Sequence, residues 1–408
     1  MSEKLINTLA RLLKLLIIVF SISSLLLFFY QSIRNHNYLG GNDLTSYLNS
    51  SRLFYNGENP FTSGARPYIY PLFLSVVVYP LSLLQSGYLQ KTFAAAIWSL
   101  ISYFAIFMTI ISSWRFLQRL KSYLQTIREI MLPVALLILM IHPFLQDEFL
   151  NGQANLIVLG GIGGFFFMLQ KDRRLWAALV LAVAASIKIA PVLCLVYALF
   201  KRQYSAIFAF FLFVFLFNLG IPYLINHQSL QYYGHFISEI LPRISTHEAQ
   251  SGFRSFSIVS TIGHLFSIDW PTPAKLGLTC LCLVGLLIPP LTIAHRAVTK
   301  HDRYFNYTFF ATIICIIPLT FPMSEAHHLL ILTIPFIAIL AYWKNIITTR
   351  KVFWHDGLSL LFLFSIIILN LGHAFKHIPL RLPALLGIYV GMNICLWRLK
   401  DRAKPRQD

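Results

Sequence analysis

Several groups of residues in this chain have types and spacings that chemistry at a membrane boundary would use. Asp43 follows Gly40-Gly41 just beyond a long apolar run. A carboxylate placed there can take a proton from a hydroxyl as a general base. Standing ahead of Ser46-Tyr47, it can also cap a short helix, and both readings stand on position alone. Asn151-Gly152-Gln153-Ala154-Asn155 is a polar turn that opens another apolar run. Its amides and helix N-terminus suit an anionic or hydroxyl-rich ligand, while the same composition would serve as a plain N-cap. Lys188 interrupts an apolar segment, where a lysine costs about 2.5–3.5 kcal/mol on insertion scales. A phosphate group is its natural partner, and a lysine that snorkels to the interface is the bland alternative.

His327-His328 follow Glu325 at the head of a further apolar run. Adjacent histidines point different ways on a helix, so they make poor joint metal ligands. One of them can still meet a phosphate or sugar while the other packs. The stretch Asn226–Pro273 adds His227, His235, Arg243, His247, Arg254 and His264 among aromatics. That composition fits a phosphate or pyrophosphate head group with a glycan, or a simple cap over the helices.

The elements that must position these residues are hydrophobic spans. The chain has 408 residues, 57% hydrophobic and 12% charged, against about 25% charged in soluble domains. This composition defines a polytopic membrane protein. No polar stretch reaches the roughly 50 residues of a separate soluble domain, so residues 1–408 are expected to form one transmembrane unit. Within it, 31–67 is a first outer loop, 226–273 a large outer loop, and 398–408 a basic cytoplasmic tail. Ser46–Tyr55 carries Tyr47, Leu48, Leu53 and Phe54 near helical spacing before Asn56-Gly57, which predicts a short helix lying on the membrane surface.

A net charge of +18 in a soluble protein would suggest nucleic acid. Here 23 of the 33 Lys and Arg fall in seven clusters beside hydrophobic segments. That is the positive-inside pattern, and it serves topology and anionic lipid head groups. With the N-terminus cytoplasmic as an uncleaved signal anchor, alternation closes from Lys201 onward. It fails earlier unless Tyr68–Leu84, which contains Pro71 and Pro80, does not cross completely. The five cysteines lie in apolar runs without metal-ligand spacing and read as packing residues. A Walker motif, dinucleotide fingerprint and nucleophile elbow are absent, so any group transfer needs a donor that is already activated and membrane-bound.

Three stretches resemble glycosyltransferase family 87, enzymes of the GT-C superfold that use polyprenyl-phosphate sugars. The first contains Asp43, Tyr47, Gly57, Pro60-Phe61 and Tyr70-Pro71-Leu72. The second is Gly152-Gln153-Ala154-Asn155-Leu156. The third is Ala184-Ala185-Ser186-Ile187-Lys188-Ile189-Ala190-Pro191, followed by Lys201-Arg202. The resemblance implies an all-α GT-C-like bundle of about 11–13 transmembrane helices. It implies an inverting hexosyltransferase that moves mannose or a related sugar from polyprenyl phosphate to a glycan or glycolipid acceptor. Asp43 would be the base. Lys188, His327, His328 and Arg254 would bind the donor phosphate and sugar, and Tyr47, Gln153, Asn155 and Glu325 the substrates. No cofactor or metal is implied, and the setting is the non-cytoplasmic face of a bacterial plasma membrane. Relatives often carry Asn-Gln-Ser in the large loop, where this chain has Phe253-Arg254-Ser255. A transporter or flippase of lipid-linked glycans, or a ligase, is the competing reading. A transporter would predict paired broken helices in two repeats, and only the break at Lys188–Pro191 is visible.

Overall fold

In lipid every backbone N–H and C=O must find an internal partner, so long apolar runs fold as helices. The computed structural model describes residues 3–36, 43–62, 68–85, 87–118, 123–240, 255–268, 270–297, 302–321, 325–348, 356–375 and 378–400, and among them no residue lies in a strand. Among the described residues, eight helices are long and apolar enough to cross a membrane: Arg11–Arg34, Leu89–Gln118, Glu129–Asn151, Tyr204–Ile225, Thr272–Arg296, Ala326–Ile346, Gly357–Ala374 and Arg381–Leu399.

The chain begins with α1 (Glu3–His36), then α2 (Asp43–Tyr55), and the short α3 (Leu72–Val77) and α4 (Tyr79–Ser82). Long α5 (Tyr88–Gln118) and α6 (Tyr123–Asn151) follow, then α7 (Asn155–Gln170) and α8 (Arg174–Ile187). After a 3-10 turn come α9 (Leu195–Phe200) and α10 (Tyr204–Phe215), which runs through a π turn into α11 (Ile221–Ile225). The segment that follows holds α12 (Ser229–His235) and α13 (Ile258–Leu265). Last are α14 (Thr272–Arg296), α15 (Arg303–Thr320), α16 (Thr333–Thr348), α17 (Gly357–Ala374) and α18 (Arg381–Leu399). The short helix expected at Ser46–Tyr55 exists and starts three residues earlier, at Asp43 itself, with Leu44, Tyr47, Leu48 and Phe54 buried.

Tyr68–Leu84 is not a span. Its prolines break it into α3 and α4, of six and four residues, so it cannot cross as one helix. Alternation from α1 onward then closes, with the described parts of the basic loops at one end of the bundle. Side-chain contacts join those loops directly. Lys344 reaches Glu129 at 2.9 Å, Lys201 reaches Asn306 at 2.5 Å, and Arg303 lies 5.7 Å from the Phe116 ring.

The bundle's centre is α15, in which every residue from Phe305 to Thr320 is buried. A helix apolar on all sides belongs in such a core. Helix α7 packs between α5 and α8 through glycines: a Cβ on Gly161 would lie 2.6 Å from Ala184 Cβ, and one on Gly160 2.9 Å from Ala105 Cβ. Small residues permit that close backbone approach in membranes. By contrast α14 turns Leu276, Leu281, Val284 and Ile288 outward, a lipid-facing surface.

Candidate active site

Gln153 is the hub of a polar cluster at the end of the bundle opposite the basic loops. Gly152, at φ +62°, reverses the chain after α6 in a conformation that glycine adopts without strain. The turn is then pinned by its backbone. Gln153 N–H donates to Glu148 O at 3.0 Å, and Trp98 Nε1 donates to Gln153 O at 3.1 Å. Buried Glu148 accepts from Asn155 Nδ2 at 2.7 Å and from the Leu156 amide at 3.0 Å. A carboxylate on the first amides of α7 satisfies both helix donors and dipole. The expected N-cap role in this turn therefore falls to Glu148 from outside the tract, while the Gln153 and Asn155 side chains face inward.

Those side chains join the remaining residues. Gln153 Nε2 donates to Asp43 Oδ2. Its Oε1 accepts longer bonds, each 3.4 Å, from Tyr47 Oη, Tyr70 Oη and Lys188 Nζ. Lys188 also donates to Asn155 Oδ1 at 2.8 Å and lies 5.4 Å from the Tyr70 ring centroid. Its position is set by a break in the chain: Lys188 is extended (φ −140°, ψ 134°), and Pro191 lacks the amide that would continue α8. Helix α8 therefore ends inside the bundle, with Lys188 at its tip.

His328 closes the cluster. The Glu325 amide donates to its Nδ1 at 3.0 Å, so the proton of the neutral ring sits on Nε2. Nε2 lies 3.0 Å from Lys188 Nζ. Two N–H groups that meet so closely are relieved by an acceptor both can reach. His327 plays a different part: it is buried, stacks edge-on against His328 at 4.4 Å and approaches Glu325 Oε2 at 3.6 Å.

Burial, with Tyr70 and Asp43 adding to it, pushes the Tyr47 phenol well above its ordinary value. Burial followed by Asp43 does the same for Tyr70. Both phenols thus stay protonated and act as hydrogen-bond donors.

The structure brings together Asp43, Tyr47, Gln153, Asn155, Lys188, Glu325 and His328. Arg254 lies outside the described residues. Sequence reasoning missed Tyr70, Glu148 and Trp98 as site residues. For Glu148 a signal existed, an acid five residues ahead of Gln153 in a segment with few charges. Whether Asp147 or Glu148 turns inward depends on the packing of α6. Asp43 opens α2, where a carboxylate also complements the helix dipole, so the helix-terminal and chemical readings are compatible.

A helical bundle with eight apolar helices of spanning length among the described residues, and an acid and a lysine joined through one amide at its non-basic end, defines a polytopic membrane protein with a polar cluster. The family model of glycosyltransferase family 87 matches residues 68–322, and the chain belongs to that family. It is a membrane glycosyltransferase, and its all-α architecture accords with the GT-C-like bundle expected from the resemblance. The matched region holds Tyr70, Glu148, Gln153, Asn155 and Lys188; Asp43 and Tyr47 precede it, and Glu325 and His328 follow it. No curated protein matches the chain. Among solved structures the chain is similar to ArnT from Cupriavidus metallidurans in the apo state, at 15% identity over 94% of this chain and 77% of that one, with a TM-score of 0.43. It is similar also to ArnT from the same organism bound to undecaprenyl phosphate, at 14% identity over 93% and 76%, with a TM-score of 0.44. The functional reading below rests on the family and on the residues of the site.

Proposed function

We propose that the protein is an inverting hexosyltransferase that moves a sugar, mannose or a close relative, from a polyprenyl-phosphate donor to a glycan or glycolipid acceptor. The observation that carries this reading is the chain of contacts from Asp43 through the Gln153 amide to Lys188 and His328. It places one acidic and one N–H-rich pole on a single cluster.

In the proposed reaction the acceptor hydroxyl gives its proton to Asp43 as its oxygen attacks the anomeric carbon. The bond from that carbon to the phosphate oxygen breaks, and its electron pair stays on the phosphate. Inversion follows from attack opposite the leaving group. The phosphate leaves without protonation, so this route needs one carboxylate base and no carboxylic acid partner. Lys188 Nζ and His328 Nε2 would meet the developing negative charge in a site shielded from water, where such donors are most effective. The Gln153 Nε2 donor orients the Asp43 carboxylate, and the phenols of Tyr47 and Tyr70 hold the other end of the same amide. Tyr47, Asn155 and Glu325 would contact the sugars, and Arg254, from the large outer segment, the donor phosphate.

The same geometry supports a site at the non-cytoplasmic face. With basic loops inside, Asp43, Gln153, Lys188 and His328 all fall at outer helix ends. Helix α8 has 14 residues, about 21 Å at 1.5 Å per residue, against a hydrocarbon core of about 30 Å. Lys188 would then sit below the outer surface, within reach of a phosphate whose chain lies in lipid. A plasma membrane that holds polyprenyl-phosphate sugars is the expected setting.

The test is sugar transfer by purified, lipid-reconstituted protein with a panel of polyprenyl-phosphate sugars, comparing wild type with Asp43→Asn. The amide keeps an acceptor oxygen for Gln153 and removes the base. Wild-type turnover that disappears in a folded variant supports the assignment, and equal turnover in both refutes it. Turnover is expected to persist in EDTA.

A further inference from the structure

Asp147 and Glu148 leave α6 in different directions. Asp147 faces a group made by α17 and α18, where His373 Nδ1 lies 3.9 Å from its Oδ2 and 3.3 Å from Arg381 Nη2. Glu148 turns inward and is 1% exposed. The proposed transfer gives it no part, and a carboxylate buried this deeply is costly unless its oxygens are answered.

Glu148 holds the turn into α7 with all three of its oxygens. The backbone O accepts from the Gln153 amide at 3.0 Å, Oε1 from the Leu156 amide at 3.0 Å and Oε2 from Asn155 Nδ2 at 2.7 Å. The last contact reaches the polar cluster. A carboxylate accepts and does not donate, so it must face the nitrogen of the Asn155 amide. The oxygen of that planar group then points the other way, and Asn155 Oδ1 accepts from Lys188 Nζ at 2.8 Å. Among the described residues this is the closest partner of Nζ, against 3.0 Å to His328 Nε2 and 3.4 Å to Gln153 Oε1. The two charges therefore meet through one neutral amide whose polarity the carboxylate fixes. With the amide reversed, Nδ2 would stand donor to donor against the ammonium and drive it away.

We propose that Glu148 is a positioning residue for Lys188, which sets where the ammonium stands by fixing the polarity of the Asn155 amide. The catalytic consequence rests on the reading of Lys188 as the group that meets the leaving phosphate, whereas the contact itself can be tested without turnover.

Glu148→Gln separates the two tasks of the carboxylate. The Leu156 amide can only donate, so it keeps the one oxygen of the new side chain and the cap on α7 survives. The new amide nitrogen then faces Asn155 and turns the Asn155 nitrogen toward Lys188. Adding Asn155→Asp restores an acceptor on both sides, and adding Lys188→Gln instead supplies a side chain that can accept. Thermal unfolding in detergent is measured first. Glu148→Gln should melt below wild type, and each added substitution should recover part of that loss. Losses that simply add would leave Glu148 as a cap alone and overturn the proposal, whether or not the protein transfers sugar.

Transfer by the reconstituted protein is measured second. In Glu148→Gln kcat should fall about 10²-fold, the usual consequence of misplacing a catalytic group by about 1 Å, with KM for the acceptor close to wild type. Glu148→Gln added to Lys188→Gln should lower kcat no further. Asp147→Asn, which removes the neighbouring charge without touching Asn155, should leave kcat at the wild-type value. Undiminished kcat in folded Glu148→Gln, or an equal fall in Asp147→Asn, overturns the proposal. Wild-type protein without turnover on any donor would count against the proposed transfer, and the melting comparison would still decide the contact.

Discussion

The two ends of the bundle handle charge in opposite ways. At the basic end cations are answered locally and near water. Lys344 pairs with Glu129 at side-chain exposures of 35% and 32%, and Arg398 pairs with Asp356 at 40% and 18%. Aromatic faces take part of the load: Lys344 lies 5.5 Å from Trp114 and Lys400 4.9 Å from Trp397. At the other end Lys188 donates to two neutral amides and meets an imidazole, and Asp43 accepts from one of those same amides. The first arrangement neutralises charge for topology and solubility. The second holds charge in place through neutral intermediaries, the arrangement on which the proposed transfer relies. Charge count alone would point to the basic end rather than to the proposed site, because the basic loops carry most of the lysines and arginines.

The strongest way to break this comparison is to remove the two poles of the polar end. Asp43→Asn should lower transfer by about 10²–10⁴-fold, the usual contribution of a general base, with the melting temperature unchanged. Lys188→Gln should reduce kcat by about 10²-fold through loss of leaving-group stabilisation, with KM for the acceptor close to wild type. Equal rates in either variant would mean that this end of the bundle holds charge for structure only. Next, Gln153→Leu should destabilise the fold by about 1–3 kcal/mol, because the Tyr47 and Tyr70 hydroxyls lose their shared acceptor. Thermal unfolding in detergent measures that loss, and transfer should fall with it as Asp43 loses its orienting donor. The smallest effect belongs to the basic end. Lys344→Ala breaks a partly exposed pair worth about 0.2–1 kcal/mol and should leave transfer untouched. A large loss of activity in Lys344→Ala would erase the distinction between the two ends.

Much of this site was legible in the sequence because polar residues are expensive in apolar runs. Lys188 announced itself in that way, as did the Asn151–Asn155 turn and Asp43 beyond the first span. What could not be read was direction. Asp147 and Glu148 are neighbours of like charge, and only the packing of α6 against α7 and α17 sends one to the Gln153 cluster and the other toward His373 and Arg381. Tyr70 looked like part of a span and is instead a ligand of the hub, because Pro71 and Pro80 break the segment that follows. His327 and His328 are indistinguishable by position, and the Glu325 amide selects His328 by binding its Nδ1.

The sequence by itself determined that the chain lives in a membrane, where its basic loops gather and which few residues are costly enough to demand a purpose. Those properties follow from transfer free energies, which each segment carries locally. The tertiary structure decided which of the costly residues meet. Contacts such as Asp43 with Gln153, Lys188 with His328, and Asp147 with the His373–Arg381 pair join positions 110, 140 and 226 or more residues apart. Such pairings depend on helix rotation and depth, set by glycine contacts, helix breaks and the buried core of α15, and no local property of the sequence encodes them.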